Sequence, residues 1–316
     1  MLTLHSLNSA HPLAIVLRGF LLPSIALIAA INPSPSDALP INNSGTININ
    51  SGNSPYTLQN GDILNNLTVG TINISNVGIL KIESGGVLNN ESGGTVNDDG
   101  NILNDSLLNL KNAGDFNVNA SGTVTGSGSL VQTAGTLTVN GSVTQSAVNI
   151  SGGTLQGTGT ITAPVTITGG TVNPGNGGVG TLTVGDNFSM NNGTVNIEIG
   201  GVNSGQYDFI NITNGAATFA AATIHFSFIS GYTPSVGDTV NFLTASTGIT
   251  GFSNLVFDYS ALLSGFNYSV ATANTDHSLH FTVQAADVPE PGSFALFGLG
   301  LGVMVWPQRK RPLSAV

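Results

Sequence analysis

The chain has 316 residues with 16 acidic and 6 basic side chains, a formal net charge of −10, no cysteine and 42 glycines. Charged residues make up 7% against about a quarter in an ordinary globular domain, and 40% of the residues are apolar. That excludes a disulfide scaffold, argues against a nucleic-acid binder, which needs basic groups to neutralise phosphates, and argues against classical disorder, which needs high charge and low hydrophobicity.

Four of the six basic residues, Arg18, Arg309, Lys310 and Arg311, sit near the termini; Lys81 and Lys111 are the other two. Arg18 precedes an apolar run over 19–31, then a Pro/Ser-rich stretch ending Ser36, Asp37, Ala38. A charge, a short apolar core and small residues at a cleavage point predict a secretory signal peptide over 1–38, cut after Ala38. Pro23, Pro33 and Pro35 oppose a buried helix there.

From residue 39 to 191 the tripeptide Gly-Thr-(Ile/Leu/Val) recurs, beginning at Gly45, Gly70, Gly94, Gly122, Gly135, Gly153, Gly159, Gly170 and Gly180, and once more at Gly193. The steps are uneven, yet each triplet opens a short apolar/polar alternation such as Thr71-Ile72-Asn73-Ile74 or Thr136-Leu137-Thr138-Val139. Alternation over four residues bounded by Gly, Asn and Ser marks short half-buried strands. A coil of such strands cannot bury its own apolar side, so stacking at a period of roughly 17 to 25 residues predicts a β-solenoid. Asn suits its corners and can form ladders between coils. Some seven to nine coils at about 4.8 Å each are expected.

Near Asn192 the composition changes, and eleven of the fourteen Phe residues lie beyond position 200. Longer strands are expected at 194–199, 223–229, 239–242, 266–270 and 279–283, with Asn274, Thr275 and Asp276 turning the last pair into a hairpin. Residues 192–285 read as a C-terminal β module that caps the solenoid, because an uncovered last coil is a sticky edge.

A first resemblance rests on Gly152-Gly-Thr-Leu-Gln-Gly-Thr-Gly-Thr-Ile, Gly170-Thr-Val-Asn-Pro-Gly-Asn, Gly180-Thr-Leu-Thr-Val, Tyr207-Asp-Phe-Ile-Asn-Ile-Thr and Gly231-Tyr-Thr-Pro-Ser-Val-Gly-Asp. The stretch from about 150 to 245 is similar to the β-helical passenger repeats of autotransporters, which implies a right-handed parallel β-helix. No translocator barrel of alternating strands follows it.

Parallel β-helices host polysaccharide lyases and glycosidases, so paired carboxylates need testing. The candidates are Asp98 with Asp99, Glu83 with Glu91, and Glu198 with Asp208; each pair reads as solvated corners. A lyase base has only Lys81 and Lys111 to draw on. His225 and His280 alternate with apolar neighbours and read as surface histidines; His277, His280 and Asp276 lack usual zinc spacing. There is no G-x-S-x-G elbow and no calcium-binding nonapeptide. Thr-x-Thr pairs at 123/125, 136/138, 158/160, 160/162, 166/168 and 181/183 raise an ice-binding threonine ladder, but their spacing is irregular. No catalytic, cofactor or metal residue is assigned, and the chain reads as non-enzymatic.

The C-terminus has three parts: Val288-Pro289-Glu290-Pro291, an apolar Gly-spaced run to Trp306, and the basic cluster Arg309-Lys310-Arg311. As a helix, residues 292–306 would span only about 23 Å, short of a bilayer core of about 30 Å, and the basic cluster marks the cytoplasmic side. These parts, in this order, resemble a PEP-CTERM sorting signal over 288–311. The resemblance implies export, transient membrane tethering through 292–306, and cutting by an exosortase. It also implies a surface or matrix role alongside exopolysaccharide or biofilm. The alternative expectation is a polysaccharide-active enzyme, with ice binding behind it.

Overall fold

The computed structural model describes residues 40–287 except residue 108 and residues 274–276. Ala38, Val288, Pro289, Glu290, Pro291, Arg309, Lys310 and Arg311 lie outside the described residues, as do the apolar run and the expected hairpin turn at 274–276.

Three strands make one coil. The first coil is Ile41–Asn43, Thr46–Ile49 and Tyr56–Leu58, and the second is Ile63–Asn66, Thr71–Ile74 and Ile79–Ile82. Each strand pairs in parallel with its counterpart one coil later, as in Ile41 to Leu64, Thr46 to Thr71 and Tyr56 to Leu80. Among the described residues this builds three sheets, A and B of 10 strands and C of 11. The protein is an all-β, parallel β-helical solenoid. The order A, B, C repeats nine times up to Thr239–Ala245, and a tenth coil opens with Ile249–Thr250 and Leu255–Ala261. At about 4.8 Å per coil, nine coils make a rod of roughly 43 Å.

Alternation within a four-residue strand sends every second side chain inward, apolar at both places in Thr71–Ile74 and Ile79–Ile82. Parallel register then aligns the inward positions: Ile72, Val96, Phe116, Leu137, Leu155, Val172 and Val195 form one column under sheet B. From Ile72 to Val172 these side chains are fully buried, and each contributes about 1.5–3 kcal/mol relative to exposure.

The glycines explain the uneven repeat. Gly45, Gly70, Gly94, Gly135, Gly153, Gly170 and Gly193 all precede sheet B strands, with Gly114 filling the same corner before Asp115–Val118. Gly122, Gly159 and Gly180 precede sheet C strands. The ten triplets therefore mark two interleaved corners, not one period. Separated, the sheet B corner steps by 25, 24, 20, 21, 18, 17 and 23 residues. The glycine requirement there is steric. A Cβ on Gly135 would run into the backbone carbonyls of Gly114 and Ala113, and one on Gly153 into that of Gly135. The coils stack too closely at this corner for a side chain.

A polar column runs inside the same corner. The Nδ2 of Asn43 donates to Oδ1 of Asn66 at 2.7 Å, Asn66 to Asn90 at 2.8 Å, Asn90 to Asn112 at 2.7 Å, and Asn112 to Oε1 of Gln132 at 2.5 Å. Each Asn also donates to a backbone carbonyl of the following coil, for example Asn66 to Thr95 O at 2.9 Å. Gln132 ends the ladder by turning onto Ala134 O at 2.5 Å. In later coils Ile150, Ile167, Met190 and Phe219 take that position.

The composition change near Asn192 falls inside the stack, since Thr171–Pro174 and Thr194–Ile199 pair in parallel. Beyond it the strands lengthen, to Ala222–Phe228 and Thr239–Ala245. Phe226, Phe242 and Phe281 fill the wider interior, with Phe226 and Phe242 meeting edge to face at 5.2 Å. The strands Phe266–Ala273 and Ser278–Ala285 pair antiparallel and extend sheet C past Thr239–Ala245. The turns from B to C also grow, occupying 175–180, 200–208 and 229–238.

Candidate ligand-facing surface and sorting signal

The outer face of sheet B carries two parallel columns. The first is Thr46, Thr71, Thr95, Asp115, Thr136, Thr154, Thr171, Thr194 and Thr223. Two residues further along each strand stand Asn48, Asn73, Asn97 and Asn117, then Thr138 and Gln156. The amides are linked: Asn73 donates to Asn48 at 3.0 Å, Asn97 to Asn73 at 2.9 Å and Asn117 to Asn97 at 3.0 Å. Asn73 and Asn97 each use one N–H and one acceptor site within the ladder, which leaves a second N–H and a lone pair for other partners. Hydroxyls and amides thus repeat at about 4.8 Å along the rod. Sequence reasoning missed this face because the Thr-x-Thr pairs it singled out belong to different sheets. Thr136 and Thr138 are on B, Thr123, Thr125, Thr160, Thr162, Thr181 and Thr183 on C, and Thr166 on A.

The carboxylate pairs do not form a site. Glu83 follows a sheet C strand and Glu91 a sheet A strand, so they occupy different corners. Glu83 binds Lys81 at 2.7 Å, whereas Lys111 is exposed on sheet A. Two of the expected solvated corners are in fact buried. Strand alternation turns Asp98 inward, between Ile74 and Val118 in one column, and it has no exposed surface. Its Oδ1 accepts from Gly100 N at 3.0 Å, while its buried Oδ2 has no partner. Burial is the main reason the carboxyl is pushed up to about 7, with neighbouring Asp99 adding and the Gly100 hydrogen bond opposing. Asp208 is also raised to about 7 by burial, against hydrogen bonds from Glu198 N at 2.9 Å and Gly180 N at 2.8 Å. Both of its oxygens brace backbone, and Glu198 approaches it through the main chain.

His225 continues the asparagine column on the outer face, and its Nδ1 lies 2.7 Å from Asp258 Oδ2. Asp258 is lowered to about 2, first by hydrogen bonds from Ser260 and then by His225. His280 Nε2 lies 2.6 Å from Ser278 Oγ, but Ser278 is fully buried and closed to a substrate. Among the described residues no cluster of three or more His, Cys, Asp or Glu is placed to hold a metal ion. Nor is any helix among them long and apolar enough to cross a membrane.

The C-terminal residues match a family model described as the PEP-CTERM protein-sorting motif, over residues 287–310. The chain carries a PEP-CTERM sorting motif. That motif implies an exported protein that is recognised and sorted by an exosortase, and it spans Val288, Pro289, Glu290, Pro291, Arg309 and Lys310. A search of curated proteins finds no match to the chain.

Proposed function

We propose that the protein is a structural and adhesive component of the bacterial cell surface or extracellular matrix, tethered briefly by its tail and then released to associate with exopolysaccharide. The observation that carries this reading is the sheet B face beside an exosortase motif. It is an uncharged double column of hydroxyls and amides, interrupted only by Asp115 before the Glu198 and His225 end. Neutral sugars are recognised by such donors and acceptors, and a rigid rod repeats them along its length. The enzyme alternative is disfavoured because Asp98 and Asp208 are buried and the two lysines stand on different sheets. Ice binding is favoured by the regular threonine column, though Asp115 breaks its pattern.

Co-sedimentation of the exported protein with the producing cell's insoluble exopolysaccharide tests the reading. Binding is expected, with loss on placing lysines at Asn73 and Asn97. Absence of binding to every polysaccharide tried overturns the adhesive role, and thermal hysteresis in its place establishes ice binding. Removing Pro289, Glu290 and Pro291 is expected to leave the protein in the membrane fraction of an exosortase-bearing cell.

A further inference from the structure

Among the described residues, nothing packs on the far side of the last coil, and the core of the solenoid is only partly covered at this end. In the coil beneath, Ile224 and Phe226 are fully buried, and so are Phe281 and Val283 on sheet C. The side chains above them are only half-buried. Phe257 stands over Ile224, Tyr259 stacks on Phe226 at 5.7 Å, and Tyr268 stacks on Phe281 at 5.6 Å. With Phe252 and Phe266 they form a row in the order Phe252, Phe257, Tyr259, Tyr268, Phe266, with ring centroids 5.7, 6.5, 5.8 and 6.4 Å apart. These positions point along the apolar columns of the rod, where every earlier coil has another coil on top. An apolar end of this kind is a sticky surface unless something covers it.

The chain itself brings a cover to this spot. Ala285, at the end of the last strand, is paired with Phe266 at one end of the row, and Asp287 begins the sorting motif. Phe294 lies seven positions beyond Asp287 along the chain, a reach of at most about 25 Å when extended. Residues 294–306 contain only apolar residues and glycine, and as a helix they would be about 20 Å long. That length is similar to the aromatic row and short for a bilayer core of about 30 Å. We infer that in the unprocessed precursor, before membrane insertion, residues 294–306 dock in cis on the aromatic end formed by Phe252, Phe257, Tyr259, Phe266 and Tyr268. Tail and end shield each other from water, and removal of the tail uncovers the aromatic end in the processed protein. The inference rests on the sorting motif and the open coil, and does not depend on the adhesive reading.

Trp306 is the single tryptophan of the chain, so its fluorescence reports the tail alone. The full chain is exported in a host that lacks an exosortase and purified without detergent, and acrylamide quenching of Trp306 is measured across protein concentrations. Docking in cis predicts an emission shifted to shorter wavelength and protection from quencher at all concentrations. Both should be lost in Phe252→Ser and Phe257→Asn and kept in Val69→Asn, which alters an exposed residue remote from the row. Because a ring substitution can disturb folding, p-benzoyl-phenylalanine in place of Leu299 is also photolysed in the otherwise unaltered chain. The expected product is an intramolecular cross-link to residues 252–268. Cross-links to a second copy, protection that rises with concentration, protection seen only with phospholipid vesicles, or a freely quenched Trp306 would each overturn the proposal.

Discussion

Asp98 allows a sharp test of the packing argument. Its carboxyl replaces an aliphatic side chain in an otherwise apolar column, and burial raises it from an ordinary value near 3.8 to about 7. The unfolded chain releases this proton near pH 4, whereas the folded protein holds it to about pH 7. Between those limits the unfolded state binds fewer protons, so stability falls as pH rises and levels off above pH 7. A difference of about three pH units corresponds to roughly 4 kcal/mol lost per group between pH 4 and pH 8. Asp98→Asn keeps an oxygen for Gly100 N and cannot ionise, but leaves amide hydrogens to satisfy at about 1–3 kcal/mol. The variant is therefore expected to be about 1–3 kcal/mol more stable than the wild type at pH 8 and less stable at pH 4.5. Urea unfolding followed by far-UV circular dichroism from pH 4.5 to 8.5 measures both curves. If the two proteins show the same pH slope, the carboxyl is not buried as described and the reasoning fails.

The interior ladder and the glycine corner give two further expectations. Asn66→Ala removes the acceptor of Asn43 and the donor of Asn90 and Thr95 O in one step, and should destabilise by about 3 kcal/mol or more in the same urea assay. Gly135→Ala forces a Cβ onto the Gly114 carbonyl at a residue with φ of 61°. It should prevent soluble expression or lower the midpoint sharply, the left-handed backbone alone costing about 1–3 kcal/mol. Gly178→Ala meets nothing within 4 Å and should leave the midpoint unchanged.

Much of the architecture was legible locally. Four-residue alternations such as Thr71-Ile72-Asn73-Ile74 announce strands with one buried face, and their Gly and Asn boundaries announce tight corners. The shortage of charge follows from the same design, because backbone pairing between coils and narrow apolar columns leave few solvated positions. The address was equally local: a proline-bracketed glutamate, an apolar run and a basic cluster need only their order along the chain to be read. The long aromatic C-terminal strands and the hairpin pairing of 266–270 with 279–283 were likewise visible.

What the chain could not reveal by itself was which residues share a column. Gly122 and Gly135 look like successive repeats, yet they precede strands of sheets C and B, and only stacking separates the two corners. The threonine and asparagine columns of sheet B stayed hidden for that reason, since their members lie 17 to 29 residues apart and become neighbours only through parallel register. Asp98 looked like half of a solvated turn, and the phase of its strand alone decided that it points into the core. The sequence by itself determined the strand period, the corner chemistry and the destination, because those depend on neighbours along the chain. The tertiary structure decided the columns, the buried carboxyls and the open aromatic end, because those depend on what lies one coil above and one coil below.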